Sequence, residues 1–219
     1  MSGAGTGRRR WQHAFATLRE YLGSGGLGRT GVIDGAGALA QFIDSRSAHV
    51  AQTALYGYLK ARSGTRYPEL FEHDAFLVSI NIAKWQVWLA CISDLCVFSG
   101  GLLARRVSGS STEVGALMLR MVEDLLDGAG VPADAGDDYV VSSNRVRERV
   151  RVCDWPEVAD DASVFTESPR ALVHWAPVAD GLKRFDVEIV ENSVRYRWVE
   201  VRRDLRRLLD AHAVLGRQG

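Results

Sequence analysis

The sequence has no net charge, no cysteine framework and no complete catalytic or metal-binding motif, and each absence removes a class of function. Twenty-seven Lys and Arg residues balance 27 Asp and Glu residues, so bulk charge predicts no polyanionic partner. The three cysteines are Cys91, Cys96 and Cys153. Cys91 and Cys96 are five apart and would face different sides of a helix, so they do not suit each other as disulfide partners. An odd count without a framework points to a reducing compartment. On an apolar helix an unpaired thiol acts as a small hydrophobe. The opening MSGAGTGRRRW has no apolar run after its arginines, so no secretory signal is expected. The expectation is a cytoplasmic protein, with peripheral attachment to the inner membrane as the variation that a basic arm allows.

Catalytic signatures are missing in the same way. A nucleophile elbow needs Gly-x-Ser-x-Gly between strand and helix. The nearest fragment, Ser108-Gly109-Ser110-Ser111-Thr112-Glu113, lacks the second glycine. A di-iron bundle needs inward Glu-x-x-His pairs, and zinc sites use Cys-x-x-Cys or His-Glu-x-x-His; none occurs. His13, His49, His73, His174 and His212 are scattered. The run GSGGLGRTG over residues 23–31 invites a phosphate-loop reading. No strand precedes it and no Gly-Lys-Ser/Thr follows, so it reads as a linker. No metal or cofactor is expected, and no catalytic residue is assigned.

What is present is length and grease. The chain has 219 residues, 47% apolar and 25% charged, which suits one domain with a small appendage. Such a chain buries roughly 70% of its unfolded surface. The dominant stretch runs from Asp74 to Arg106, DAFLVSINIAKWQVWLACISDLCVFSGGLLARR. A helix apolar almost all round must be covered on most sides. Residues 85–104 approach the length of a membrane span. Asp94 at the middle would cost about 2.5–3.5 kcal/mol on insertion scales, and Lys84, Arg105 and Arg106 put positive charge at both ends. The prediction is therefore an all-α bundle of about five to seven helices wrapped around this one. Residues 1–34 read as a basic arm with a short amphipathic helix (11–22) and a glycine-rich linker. Residues 35–219 read as a single helical domain.

Periodicity places the remaining helices. Residues 36–62 form one, with a break allowed near Asp44 to Ser47 and Gly64 as its C-cap. Gly57, between Tyr56 and Tyr58, predicts a closely approaching neighbour. Pro68 fits the first position of a short helix. Ser110 with Glu113 has capping-box spacing ahead of a helix that Gly128 to Pro132 stops. Residues 139–153 nearly alternate, but with no strand to pair they are read as a helix whose arginines face solvent. A short helix starts near Ser168 and ends before Pro177. The last helix is expected to run unbroken over 179–214, with Val187, Val190, Val194, Trp198, Val201, Leu205 and Leu208 as its buried stripe.

Polar groups on the central helix must be satisfied if buried. Lys84 is expected to pair with a carboxylate on a neighbouring helix, and Asp94 with an arginine such as Arg66 or Arg184. If Lys84 is so paired, Lys84→Met should leave an unpaired acid at a cost of several kcal/mol. Arg66, Lys84, Trp88 and Asp94 form the candidate pocket, with Trp85 and Trp88 as walls. The candidate basic docking surface is Arg8, Arg9, Arg10, Lys183, Arg184, Arg203 and Arg207.

Several segments carry a resemblance: Tyr56-Gly57-Tyr58-Leu59-Lys60, Gly64-Thr65-Arg66-Tyr67-Pro68, Ile82-Ala83-Lys84, residues 168–177, Lys183-Arg184-Phe185-Asp186 and Glu191-Asn192-Ser193. There, and over most of the chain beyond about Ala48, the protein resembles an alphaproteobacterial helical family sometimes labelled esterase. The resemblance implies a bacterial origin and a helix over 139–153; it transfers no site residue, and no motif here supports the label. The sequence thus leads to a non-enzymatic interaction or assembly protein. Its partner would be another protein, an anionic membrane surface or a second copy of the chain. The alternative is a ligand-binding protein or hydrolase using the Lys84 and Asp94 region. The mixed acids of the last helix disfavour nucleic acid.

Overall fold

The computed structural model describes residues 31–216. The arginines at 8–10, the helix expected at 11–22 and all but the last residue of the glycine-rich run lie outside the described residues. Within them the α-helices, in chain order, are α1 (Ala36–Ser63), α2 (Asp74–Arg106), α3 (Ser111–Ala129), α4 (Tyr139–Arg151), α5 (Glu167–Trp175), α6 (Asp180–Lys183), α7 (Val187–Leu208) and α8 (Ala211–Val214). Among the described residues there is no strand, only a parallel bridge between Ile33 and Leu209. The fold is all-α.

α2 is the axis of the molecule. Asp74 in its first turn and Arg105 and Arg106 in its last complement the helix dipole. Between residues 83 and 103 every side chain except Ala90 is buried. By length and composition α2 could cross a membrane, but 89% of its most apolar window is buried inside this chain. α1, α3, α4 and α5 all pack against it. Gly100 and Gly101 let two residues beyond α4 reach the axis. A Cβ on Gly100 would fall within the Trp155 ring, and one on Gly101 within Val158. Gly57 does the same on α1, where a Cβ would lie 3.1 Å from the Arg197 guanidinium. The expected close neighbour is α7.

Several local expectations hold. Gly64 caps α1 with φ 52°, and residues 139–151 are helical. Others are corrected. α1 continues through Asp44 to Ser47 without a break. Pro68 lies inside a 3-10 stretch, Gly64–Glu72, and does not open a helix. Ser110 precedes α3, but its hydroxyl donates to the Val107 carbonyl and caps nothing. Its backbone, φ −96° and ψ 5°, is not the extended shape a capping side chain needs.

The last helix is also not continuous. A turn over residues 184–186 separates α6 from α7. At Leu209 the backbone turns extended. The Ile33 N–H donates to the Leu208 carbonyl at 2.8 Å, and the Asp210 N–H donates to the Ile33 carbonyl at 2.9 Å. Ile33, which the sequence assigns to the arm, is 1% exposed. Burying its backbone groups required partners, and opening the helix at Leu209 supplied them. The buried stripe of α7 is as expected from Val190 to Leu208, while Val187 is exposed.

Candidate functional site

Asp94 is the polar centre of the bundle. It is fully buried on α2 and does not meet Arg66 or Arg184, both of which are exposed. Its partner is Arg149 of α4, at 2.7 Å from Oδ1. Oδ1 also accepts from the Glu167 N–H at 3.1 Å. Oδ2 accepts from the Ser168 N–H at 2.8 Å and the Ser168 hydroxyl at 2.7 Å. Asp94 therefore caps the N-terminus of α5 from across the molecule, where an anion is favoured; Thr166, the local cap residue, donates no such help. The Ser168 hydroxyl in turn accepts from the Trp198 indole N–H at 3.0 Å, and Arg149 donates to Ser93 and to the Val164 carbonyl. One carboxylate thus joins α2, α4, α5 and α7.

Burial pushes the Asp94 pKa up, and Arg149 and Ser168 oppose that. A carboxylate has about four lone-pair sites, and four donors fill them. No acceptor remains for a carboxyl proton, so the ionised form fits the site. A saturated carboxylate has no lone pair left for substrate, which marks Asp94 as a structural clamp. Cys91, fully buried beside it, has its thiol pKa raised by burial first and by Asp94 second, which leaves it inert.

Lys84 is separate. Ten residues along α2 from Asp94 is about 15 Å of helix. It is 2% exposed, and its Nζ lies 3.3 Å from Asp134, in the loop after α3 and not on a helix. The Trp85 indole donates to the same carboxylate at 2.7 Å. Burial lowers the Lys84 pKa, and Asp134 opposes that. Trp85 and Trp88 meet edge to face, with centroids 5.7 Å apart, and both are buried core residues. None of the four candidate pocket residues, Arg66, Lys84, Trp88 and Asp94, lines the cleft between α2, α4 and α5.

The cleft lies one step around α2. It measures about 360 Å³. α2 contributes Gln86, Leu89, Ala90 and Ser93. α4 contributes Ser142, Arg145, Val146 and Arg149. α5 contributes Glu167, Arg170, Ala171 and His174, and Trp175 closes the end. Each set has the spacing i, i+3, i+4, i+7, which is one helix face. The sequence reading missed this site because three faces from distant segments form it.

The described residues of the expected basic docking surface, Lys183, Arg184, Arg203 and Arg207, lie in and around α7 and have partners of their own. Lys183 donates to the His174 carbonyl, Arg203 pairs with Glu200, and Arg207 pairs with Asp204. Arg184 stacks on Phe185. Among the exposed residues of α6, the turn after it and α7 are five large apolar side chains, Leu182, Phe185, Ile189, Tyr196 and Val199, with Ile189 at 72% and Tyr196 at 78%. Searches of protein-family models, of curated proteins and of solved structures found no significant match to this chain.

Proposed function

We propose that this protein is a non-enzymatic assembly module that pairs with a second copy of itself through the outer face of α7. The observation that carries this reading is a row of exposed apolar residues, Ile189, Tyr196 and Val199 on α7 with Leu182 and Phe185 before it, interrupted by Asn192. On α7, residues 189, 192, 196 and 199 follow alternating spacings of three and four, the pattern of a two-helix seam, and Leu182 of α6 and Phe185 of the turn before α7 are exposed ahead of them. The four on α7 lie opposite the stripe from Val190 to Leu208 that the helix buries in the core. Single exposed apolar residues are ordinary, but a contiguous row signals an interface.

Charge favours an antiparallel arrangement. Two α7 helices crossing near residues 190 and 191 set Ile189 against the partner's Asn192, and Tyr196 and Val199 toward the partner's turn and α6, where Phe185 and Leu182 are exposed. Flanking the seam, Glu188 then faces the partner's Arg195, and two-fold symmetry makes that contact twice. A parallel seam would bring Arg202 toward the partner's Arg207. Saturation of Asp94 by its own neighbours, and the internal pairing of most basic residues on this surface, favour assembly over catalysis or membrane docking.

On α7 the row from Ile189 to Val199 spans about 15 Å of helix, so the dimer should be concentration-dependent. Sedimentation equilibrium is expected to show it. Tyr196→Glu or Ile189→Glu should weaken association at least tenfold and leave the melting temperature of the monomer unchanged. Glu188→Arg and Arg195→Glu should each weaken it, and together restore it. A chain monomeric at about 100 μM, well above the affinity expected of a specific contact, refutes the reading. If Glu188→Arg has no effect while Arg195→Glu does, the antiparallel register is wrong.

A further inference from the structure

We infer that the cleft between α2, α4 and α5 binds a small monoanion with a carboxylate head and an apolar body. Gln86 is the first observation. It lines the cleft, is 3% exposed, and its amide nitrogen has no hydrogen-bond partner. A buried donor left unpaired costs about 1–3 kcal/mol; the nitrogen itself is closed to solvent, and a turn of the Gln86 amide toward the cleft is the step that pairs it with an entering acceptor. The second observation is Arg145. It lines the same cleft and is exposed, and among the described residues it makes no ion pair or hydrogen bond. The neighbouring arginines are occupied: Arg149 holds Asp94, and Arg170 lies 3.7 Å from Glu167.

The charge count sets the valence of the ligand. Three guanidiniums face Glu167 and, behind Arg149, Asp94. Among these arginines and carboxylates one positive charge remains uncompensated, which one carboxylate neutralises. An exposed arginine and an amide N–H are both donors, so the head group must be an acceptor. Leu89, Ala90, Val146 and Trp175 supply apolar wall for a body behind that head. A volume near 360 Å³ falls at the small end of ligand sites, which suits an acid of roughly eight to twelve heavy atoms. The outer face of α7 takes no part in this cleft, so the inference does not depend on the dimer.

Isothermal titration calorimetry of the whole chain with octanoate, 1-octanol and inorganic phosphate tests it. Octanoate should bind at one site per chain with a dissociation constant below about 1 mM, and both other probes at least tenfold more weakly. Gln86→Leu keeps the bulk and removes the orphan donor. It should hold or raise the melting temperature while weakening octanoate at least tenfold. Arg145→Met, at an exposed position, should leave the fold intact and weaken octanoate similarly. The inference is overturned if octanoate gives no saturable heat, if octanol or phosphate binds as tightly, or if neither variant alters the affinity. A lower melting temperature for Gln86→Leu with octanoate affinity unchanged would make Gln86 a structural residue and remove the site.

Discussion

Asp94→Asn is the sharpest test of how the bundle is held. The substitution preserves shape and removes one acceptor oxygen and the charge. In the native site all four lone-pair sites of the carboxylate are taken by donors. An asparagine satisfies at most two with its oxygen and turns its amide hydrogens toward the other two. Arg149 loses its counter-charge while 27% exposed, so water recovers part of that loss. Removing one partner of a buried pair costs about 3–5 kcal/mol, and partial rehydration of Arg149 places this variant at the lower end. Against a total of roughly 5–15 kcal/mol that is a large share. Urea denaturation followed by far-UV circular dichroism measures it, and hydrogen exchange at the Glu167 and Ser168 amides should accelerate first as α5 loses its cap. Combined with Arg149→Met, the two losses should be less than additive, by about 1–3 kcal/mol. A cost below about 1 kcal/mol, or strict additivity with Arg149→Met, would show that the clamp is not the tie described here.

Three further outcomes follow from named contacts. Asp134→Ala should cost about 3–5 kcal/mol because Lys84 stays buried without its partner, whereas Lys84→Met should cost under about 1 kcal/mol, since the stranded Asp134 is 35% exposed and can be solvated; equal losses in urea denaturation would contradict the asymmetry and restore the larger Lys84→Met cost expected from sequence. Gly100→Ala should destabilise by about 1–3 kcal/mol through overlap with Trp155, while Gly37→Ala, open to solvent in α1, should be neutral or stabilising in the same assay. Tyr56, Tyr58 and Tyr67 have their pKa values pushed up to about 12, by burial first in each case and at Tyr58 also by its bond to Asp186; because the raised value belongs to the folded state, their contribution is intact below pH 10 and is lost as pH rises through about 12, so a spectrophotometric titration should show these phenols ionising together with unfolding, and reversible ionisation near pH 10 in the folded chain would refute the burial.

Much of the fold was legible because helix signals are local. An apolar run without a glycine or proline stop until residue 100 can only be a long covered helix, and α2 has the bounds read from sequence. The helix over 139–151 was legible by elimination, since alternation without a second strand has nothing to pair with. The break near the end of the long last helix was misread for a reason outside its own sequence. Nothing between residues 205 and 214 breaks a helical pattern; the break at Leu209 exists because Ile33, some 175 residues earlier, needed backbone partners.

The candidate site was less legible for the same reason. Sequence alone established that Lys84 and Asp94 lie on a helix that had to be covered, and hence that both needed partners. It did not choose those partners. Arg145, Arg147, Arg149 and Arg151 are chemically identical and evenly spaced, and only the way α4 lies on α2 turns Arg149 inward while its neighbours meet solvent or the cleft. Likewise, Gln86 is one polar residue in a greasy run until α4 and α5 arrive beside it, place it on a cleft wall and leave its amide nitrogen without a partner. Side-chain type and period are properties of neighbouring residues, so a sequence displays them. Which faces meet is set by packing between segments tens of residues apart, and only the tertiary structure decides it.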